Sequence, residues 1–339
     1  MGQAQQLRQP GPIETHPLVS VDDHDPSPEA GEVVIDVAAC GVCRTDLQLV
    51  EGDLGARHQP IVPGHQVVGR VRTLGDGVDR WRVGDRVGVA WLAGTCGDCD
   101  QCRSGSENLC AEAVFTGWDR DGGYAETMTA RADFVFSIPE MFSDLEAAPL
   151  LCGGVIGYRS LRLSGIAPGG RLGLYGFGAS ALLAMQVAVH WGCEVYVATR
   201  SERERDRAVE LGAVWVGGYD DAPPVPLDAV VTFAPVGGVV VAALRALRPG
   251  ATVAINAIHL DEIPAFDYDL LWGERALRSV ANFTRRDAEE FLALAASIPI
   301  RTIADVYPLA GANRALADLA HGDVGGAAIL VPSLPRRDS

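Results

Sequence analysis

The chain has no apolar run of about 18 residues, so no membrane-crossing helix is expected. Basic residues are outnumbered: 28 Lys and Arg stand against 44 Asp and Glu, a formal net charge of −16. A surface of that sign repels phosphate backbones and anionic headgroups, which argues against nucleic acid and membrane surfaces as partners. Internal repeats and low-complexity tracts are also absent. Residues 1–17 are polar and proline-rich, without a basic start and apolar core, so no secretory signal is expected. Cysteine is not scarce, but the eight cysteines are clustered in a long chain rather than spread as a secreted disulfide framework. That clustering points to metal in a reducing compartment, and so to the cytoplasm.

What is present has two rhythms. At 339 residues the chain is long enough for two domains. From Gly31, EVVIDVAACGVC alternates as a half-buried strand does, and glycines and prolines punctuate the next hundred residues. Short strands joined by tight turns follow. Near Ser143 the pattern changes: DLEAAPLLCGGVIGYRSL has helical spacing, with Ser143 or Asp144 as its cap. Strands and helices then alternate: RLGLY, ALLAMQVAVHW, EVYVATR, ERERDRAVELG, DAVVTFA, VVVAALRALRPG, ATVAINAI and LRSVANF. Such alternation predicts βαβ units and a parallel sheet. The expected division is 1–150, 151–285 and a C-terminal segment 286–339.

Cys96, Cys99, Cys102 and Cys110 form C-x2-C-x2-C-x7-C. Four thiolates that close together complete a tetrahedral Zn²⁺ shell, which makes a structural site. An iron–sulfur cluster would favour a last spacing of three followed by proline; here it is seven, and Ala111 follows Cys110. Three further candidates are scattered: Cys43 in GVCRTD, His65 in PGHQVVG and Cys152 in APLLCGG. Spacing does not join them, and any one alone is more often a packed or satisfied core residue than a ligand.

Strand RLGLY runs into Gly176-Phe177-Gly178-Ala179-Ser180-Ala181, a G-x-G-x-x-A turn ahead of a helix. The first Gly permits the turn, the second admits a pyrophosphate, and Ala181 allows close helix packing. The helix start supplies amide donors and dipole for phosphate. The second strand ends Ala198-Thr199-Arg200-Ser201 with no carboxylate, where NAD enzymes usually carry one. Thr199, Arg200 and Ser201 suit a 2′-phosphate, so NADP(H) is favoured over NAD(H).

Taken in order, GVCRTD, PGHxxxG, the four-cysteine lobe, DGGYAE, APLLCGGVIGY and the glycine turn resemble the zinc-dependent alcohol dehydrogenases of the medium-chain dehydrogenase/reductase family. The resemblance runs from about residue 30 to near the end of the chain. It implies an α/β protein with a GroES-like β-rich catalytic domain and a Rossmann doubly wound parallel-sheet domain for the cofactor. It implies that Cys43, His65 and Cys152 hold a catalytic zinc with one position left open, so that the chain carries two zinc ions. It implies hydride transfer between a nicotinamide and a small-molecule alcohol, aldehyde or ketone, with zinc polarising the substrate oxygen. By the same resemblance Thr45 relays the alcohol proton, Asp46 orients the His ligand, and Trp91 lies on the substrate-pocket wall. Ala257 and Ile258 resemble the stretch near the nicotinamide carboxamide, and Arg285 an arginine that reaches the cofactor phosphates. A homodimer or homotetramer is implied as well.

Two positions depart from the family. Gln66 follows the His ligand where Glu is usual, which removes a negative charge behind the metal. Gln48 stands where several members have a His, and an amide cannot act as the terminal base of a proton relay. These departures suggest a specialised substrate or a working direction of reduction. They also keep open reduction of an activated C=C or C=N bond and, further off, a non-catalytic NADPH-binding role.

Overall fold

A computed structural model describes residues 2–22, 24–257 and 260–332. The chain divides into two compact units: Met1–Cys152 with Thr284–Ala296 and Arg301–Ser339, and Gly153–Phe283 with Ser297–Ile300.

The first unit is built on a seven-stranded sheet. Its path is Ala304–Pro308, Ala327–Val331, Glu32–Gly41, Gln66–Leu74, Arg86–Val89 and Val135–Ser137, and Thr127–Arg131 also pairs with Glu32–Gly41. Only the first pair is parallel; the other pairings are antiparallel. The long strand Glu32–Gly41 shifts register twice against Gln66–Leu74, between Val34 and Ile35 and between Val37 and Ala39. Such bulges bend and twist a strand. They bring Gly41 opposite Gln66, so that the chain after one strand and before the other supplies Cys43 and His65 side by side. Val33, Ile35, Val67, Val71, Val87 and Val135 fill the core beneath.

The second unit carries a six-stranded sheet in the order Trp215–Gly217, Glu194–Ala198, Arg171–Tyr175, Leu227–Thr232, Leu247–Ile255, Ala276–Ser279, parallel throughout. Its central strands are buried on both faces, which is why they read as nearly continuous apolar runs. One face packs Tyr175, Ala198, Val230 and Val253 against Val239, Val240 and Leu244 of the helix Gly237–Ala246. The strand order reverses between Arg171–Tyr175 and Leu227–Thr232, the point at which open α/β sheets bind their ligands.

Local expectations needed three revisions. The helix read across 144–161 is broken. A turn, Asp144–Ala147, is capped by Ser143; a 3-10 turn, Ala148–Leu151, contains Pro149; the helix Gly153–Ser164 starts after Cys152. Cys152 itself lies outside the helical region, at φ −129° and ψ −76°. The helix expected to end at Gly250 stops at Ala246, because Arg248 precedes a proline and is biased to extended backbone. The helix Arg44–Glu51 was not read from the sequence, since its N-cap is a cysteine rather than Ser, Thr, Asp or Asn.

Candidate metal centre and cofactor turn

Cys43 closes the loop after Glu32–Gly41 and caps the helix Arg44–Glu51. Asp46, three residues on, accepts a hydrogen bond from the Cys43 amide at 2.8 Å with Oδ2, the return half of a capping box. Its other oxygen accepts from His65 Nδ1 at 3.1 Å, and the Tyr124 hydroxyl donates to Oδ2 at 3.2 Å. Asp46, His65 and Tyr124 are all buried. With Nδ1 held by a carboxylate, Nε2 of His65 is the nitrogen left for an ion. Gly64 makes this placement possible: its φ is +101°, and a Cβ there would fall 2.4 Å from the Tyr124 ring.

The Sγ atoms of Cys43 and Cys152 are 4.0 Å apart, and each ligand atom of Cys43, His65 and Cys152 lies within 4.8 Å of the others. Two sulfurs bound to one tetrahedral zinc at about 2.3 Å each would stand about 3.8 Å apart, so the spacing fits the ion. The hydrogen bond shared with Cys152 holds the Cys43 thiol well below the ordinary thiol range, while the same contact and burial push Cys152 up. Burial works against charge on His65, but the Asp46 carboxylate and the Cys43 sulfur outweigh it and raise its pKa to about 10. An incoming cation must therefore displace protons.

Thr45 is buried, with Oγ1 3.8 Å from Cys43 Sγ. Gln48 lies one turn further along the same helix and is half-buried. Gln66 is buried, its side chain pressed on Gly41, where a Cβ would meet Gln66 Cδ at 2.8 Å. Trp91 meets the His65 ring edge-on, with centroids 4.8 Å apart and planes at 75°.

The four lobe cysteines also converge, with all sulfurs within 4.8 Å; Cys96 is 3.9 Å from Cys102 and 3.5 Å from Cys110. All eight cysteines are free thiols. The lobe is tied down by Glu107, whose carboxylate takes the Arg285 guanidinium at 2.7 and 3.0 Å and the Arg285 amide at 2.8 Å. The Arg285 guanidinium also lies over the Phe134 ring.

In the second unit, Gly176 has φ +89°, and a Cβ on it would fall 2.8 Å from the Ala234 amide. Gly178 caps the helix Ala179–His190, with open space where its Cβ would be. Ala181 is buried, and Ser180 sits against Gly153 and Gly157. Thr199 is buried and its hydroxyl donates to Glu204, while Ser201 caps the helix Glu202–Glu210 by accepting from the Glu204 amide at 3.3 Å. Arg200 is exposed. Glu204 is the residue the sequence reading missed. It lies in the helix rather than at the strand end, yet folds a carboxylate back onto Thr199. Ala257 packs on the Tyr175–Val230 core, and Ile258 lies outside the described residues.

Two family models match the chain: the alcohol dehydrogenase GroES-like domain over residues 29–140 and the zinc-binding dehydrogenase over residues 180–297. A probable alcohol dehydrogenase, AdhA, of Mycobacterium tuberculosis (strain CDC 1551 / Oshkosh) is 50% identical over 334 residues, covering 97% of this chain and 96% of that protein. This chain belongs to the zinc-binding alcohol dehydrogenases of the medium-chain dehydrogenase/reductase family. An alcohol dehydrogenase of Geobacillus stearothermophilus is 35% identical over 93% of the chain and 96% of its own length. The cobalt- and zinc-bound thermostable alcohol dehydrogenase from Pyrobaculum aerophilum has a TM-score of 0.87 at 27% identity, covering 98% and 99% of the two chains. The architecture is thus the GroES-like and Rossmann pairing of these dehydrogenases, and the protein is an oxidoreductase of the alcohol dehydrogenase type. Among the described residues no helix is long and apolar enough to cross a membrane.

Proposed function

We propose that this dehydrogenase moves a hydride between NADP(H) and a small alcohol, aldehyde or ketone, with one catalytic and one structural zinc per chain. The observation that carries the reading is the convergence of Cys43, His65 and Cys152 with Nδ1 of His65 held by Asp46. When bound there, zinc supplies a Lewis acid for the substrate oxygen, and the nicotinamide supplies or accepts the hydride. Three protein donors leave the fourth tetrahedral position for the substrate, whereas the four lobe cysteines complete a shell and serve structure alone.

The chain's own residues do the rest. Asp46 fixes the His65 tautomer and the Cys43 loop with one carboxylate. Thr45 Oγ1, buried beside Cys43 Sγ, takes the proton from the alcohol, and because Gln48 cannot hold it, the proton leaves through water or the cofactor ribose. Gln66 puts a neutral amide where Glu is usual, one negative charge fewer near the ion, which would make it more electrophilic.

Gly176, Gly178, Ala179, Ser180 and Ala181 seat the pyrophosphate at the start of a 12-residue helix. Arg200 is the cation for the 2′-phosphate, and Thr199 and Ser201 shape the loop that presents it. Glu204 opposes that preference, so replacing it with Gln should raise kcat/KM for NADPH relative to NADH. Ala257 borders the nicotinamide. The eight free thiols fit the cytoplasm, and a homodimer or homotetramer is the expected assembly.

The test is a screen of NADPH and NADH oxidation over aldehydes and ketones, with zinc measured on the same sample. Two zinc ions per chain and turnover faster with NADPH are expected. One zinc per chain with cofactor binding but no turnover would remove the catalytic reading, and equal kcat/KM for both cofactors would remove the preference.

A further inference from the structure

Residues 121–124, the Asp-Gly-Gly-Tyr stretch, are zipped onto the loop that leads into His65. Asp121 accepts from the Val62 amide at 2.8 Å with Oδ1. The amides of Gly122, Gly123 and Tyr124 donate to the carbonyls of Val62, Gly64 and Pro63 at 2.7, 2.9 and 2.9 Å. Gly122 permits the approach, since a Cβ there would fall 2.0 Å from the Gly64 carbonyl oxygen. The Tyr124 carbonyl in turn accepts from the Gln5 amide at 2.7 Å. The backbone at Tyr124 is therefore fixed by both its amide and its carbonyl, and the side chain starts from a set position.

That side chain is a phenol, and it is fully buried. Packing alone would be met by phenylalanine, because a buried hydroxyl costs free energy unless it is bonded. Here it donates to Asp46 Oδ2 at 3.2 Å. The two oxygens of Asp46 divide their partners. Oδ2 takes the Cys43 amide at 2.8 Å together with Tyr124, and Oδ1 takes His65 Nδ1 at 3.1 Å. The amide comes with the backbone whatever residue follows. The hydroxyl is the donor that the choice of side chain at 124 supplies.

Resting on the reading of the metal centre given above, we infer that Tyr124 is a positioning residue that acts through Asp46. Its hydroxyl pins Oδ2, so that the carboxylate cannot turn and Oδ1 stays on His65. With the ring kept and the hydroxyl removed, Oδ2 has the Cys43 amide alone, and the carboxylate swings more freely about that one bond. The imidazole and the Cys43 loop then lose part of their orientation toward the ion. The pocket is dry, so no solvent takes the place of the missing donor, and linked hydrogen bonds in such a site act on one another.

The experiment is a double-mutant cycle on the full-length, zinc-loaded protein, read as zinc affinity by competition with a chelator. Tyr124→Phe should weaken zinc at the buried site about tenfold and leave the lobe ion in place. In the Asp46→Asn background the same change should alter zinc affinity less than about twofold, because the carboxylate it acts through is gone. At saturating zinc, Tyr124→Phe should lower kcat about fivefold for an aldehyde that the unaltered protein reduces, with KM for NADPH unchanged. Unchanged zinc affinity in Tyr124→Phe, or a loss equally large in both backgrounds, overturns the inference, since a hydroxyl that only supports the fold would act additively. If the cycle gives the expected coupling and no aldehyde turns over with either cofactor, the positioning role stands and the dehydrogenase reading falls. Turnover by the unaltered protein with no coupling in the cycle leaves that reading and ends this one. Where Tyr124→Phe fails to fold, 3-fluorotyrosine placed at 124 decides: its more acidic hydroxyl should draw charge from Oδ1 and move the His65 Nδ1 proton resonance upfield, and an unmoved resonance overturns the inference.

Discussion

The two cysteine groups of the first unit make a direct comparison. The lobe site is local: its four sulfurs come from 15 consecutive residues, and three of the four are only partly buried. The site at Cys43, His65 and Cys152 spans 110 residues, and its imidazole and the carboxylate behind it are 1% and 2% exposed. One uses all its donors and has none left for chemistry; the other has three and a buried carboxylate that orients one of them. A short loop with glycines can wrap an ion wherever it occurs. A reactive centre needs a dry, oriented position, and that is made by packing.

The largest test of this contrast removes a donor from the buried site. His65→Ala should lower kcat/KM at least about a thousandfold, about 4 kcal/mol of transition-state stabilisation, while metal analysis still finds one zinc per chain. Loss of both ions would mean that the two sites are not independent. Next in size, Cys102→Ser should leave the buried ion and cost about 3 kcal/mol of stability, a fall in Tm of about 6–12 °C by calorimetry. Unchanged melting would show that the lobe does not need its metal.

Asp46→Asn probes the oriented donor. It should reduce zinc affinity or activity about 10- to 100-fold by competition with a chelator, with the lobe ion untouched. A smaller effect, about 1 kcal/mol, is expected for Arg285→Ala, whose ion pair with Glu107 is about one-third exposed on the Arg side and so partly screened. It should loosen the lobe, read as faster zinc release there, without changing cofactor affinity. A rise in KM for NADPH would instead assign Arg285 to the cofactor phosphates. The smallest change is Gln48→His. Alcohol oxidation should fall steeply below about pH 8 in the unaltered protein and recover several-fold with a titratable relay end. A profile indifferent to the change would remove the relay through Thr45.

Secondary structure was legible where one rule acted alone. The strands Arg171–Tyr175 and Leu227–Thr232 read directly, because burial on both faces leaves no polar alternation to interpret. The helix at Arg44–Glu51 did not, because its cap is the Cys43 loop and Asp46, whose pairing serves the metal centre as well. Cys152 was hidden inside an apparent helix, and only the break around it presents a thiol to Cys43. Glu204 was invisible at the strand end because helix geometry, not strand position, returns its carboxylate to Thr199.

By itself, the order of residues determined the lobe, the glycine turn and the alternation that builds a parallel sheet. Each depends on neighbours within a few dozen positions, and short loops close at little entropic cost. The tertiary structure alone decided that Cys43, His65 and Cys152 meet, that Arg285 belongs to Glu107, and that the Tyr124 hydroxyl reaches Asp46. Those groupings join residues up to 178 positions apart, and only the register of the sheet and the packing of the core bring them within a few ångströms.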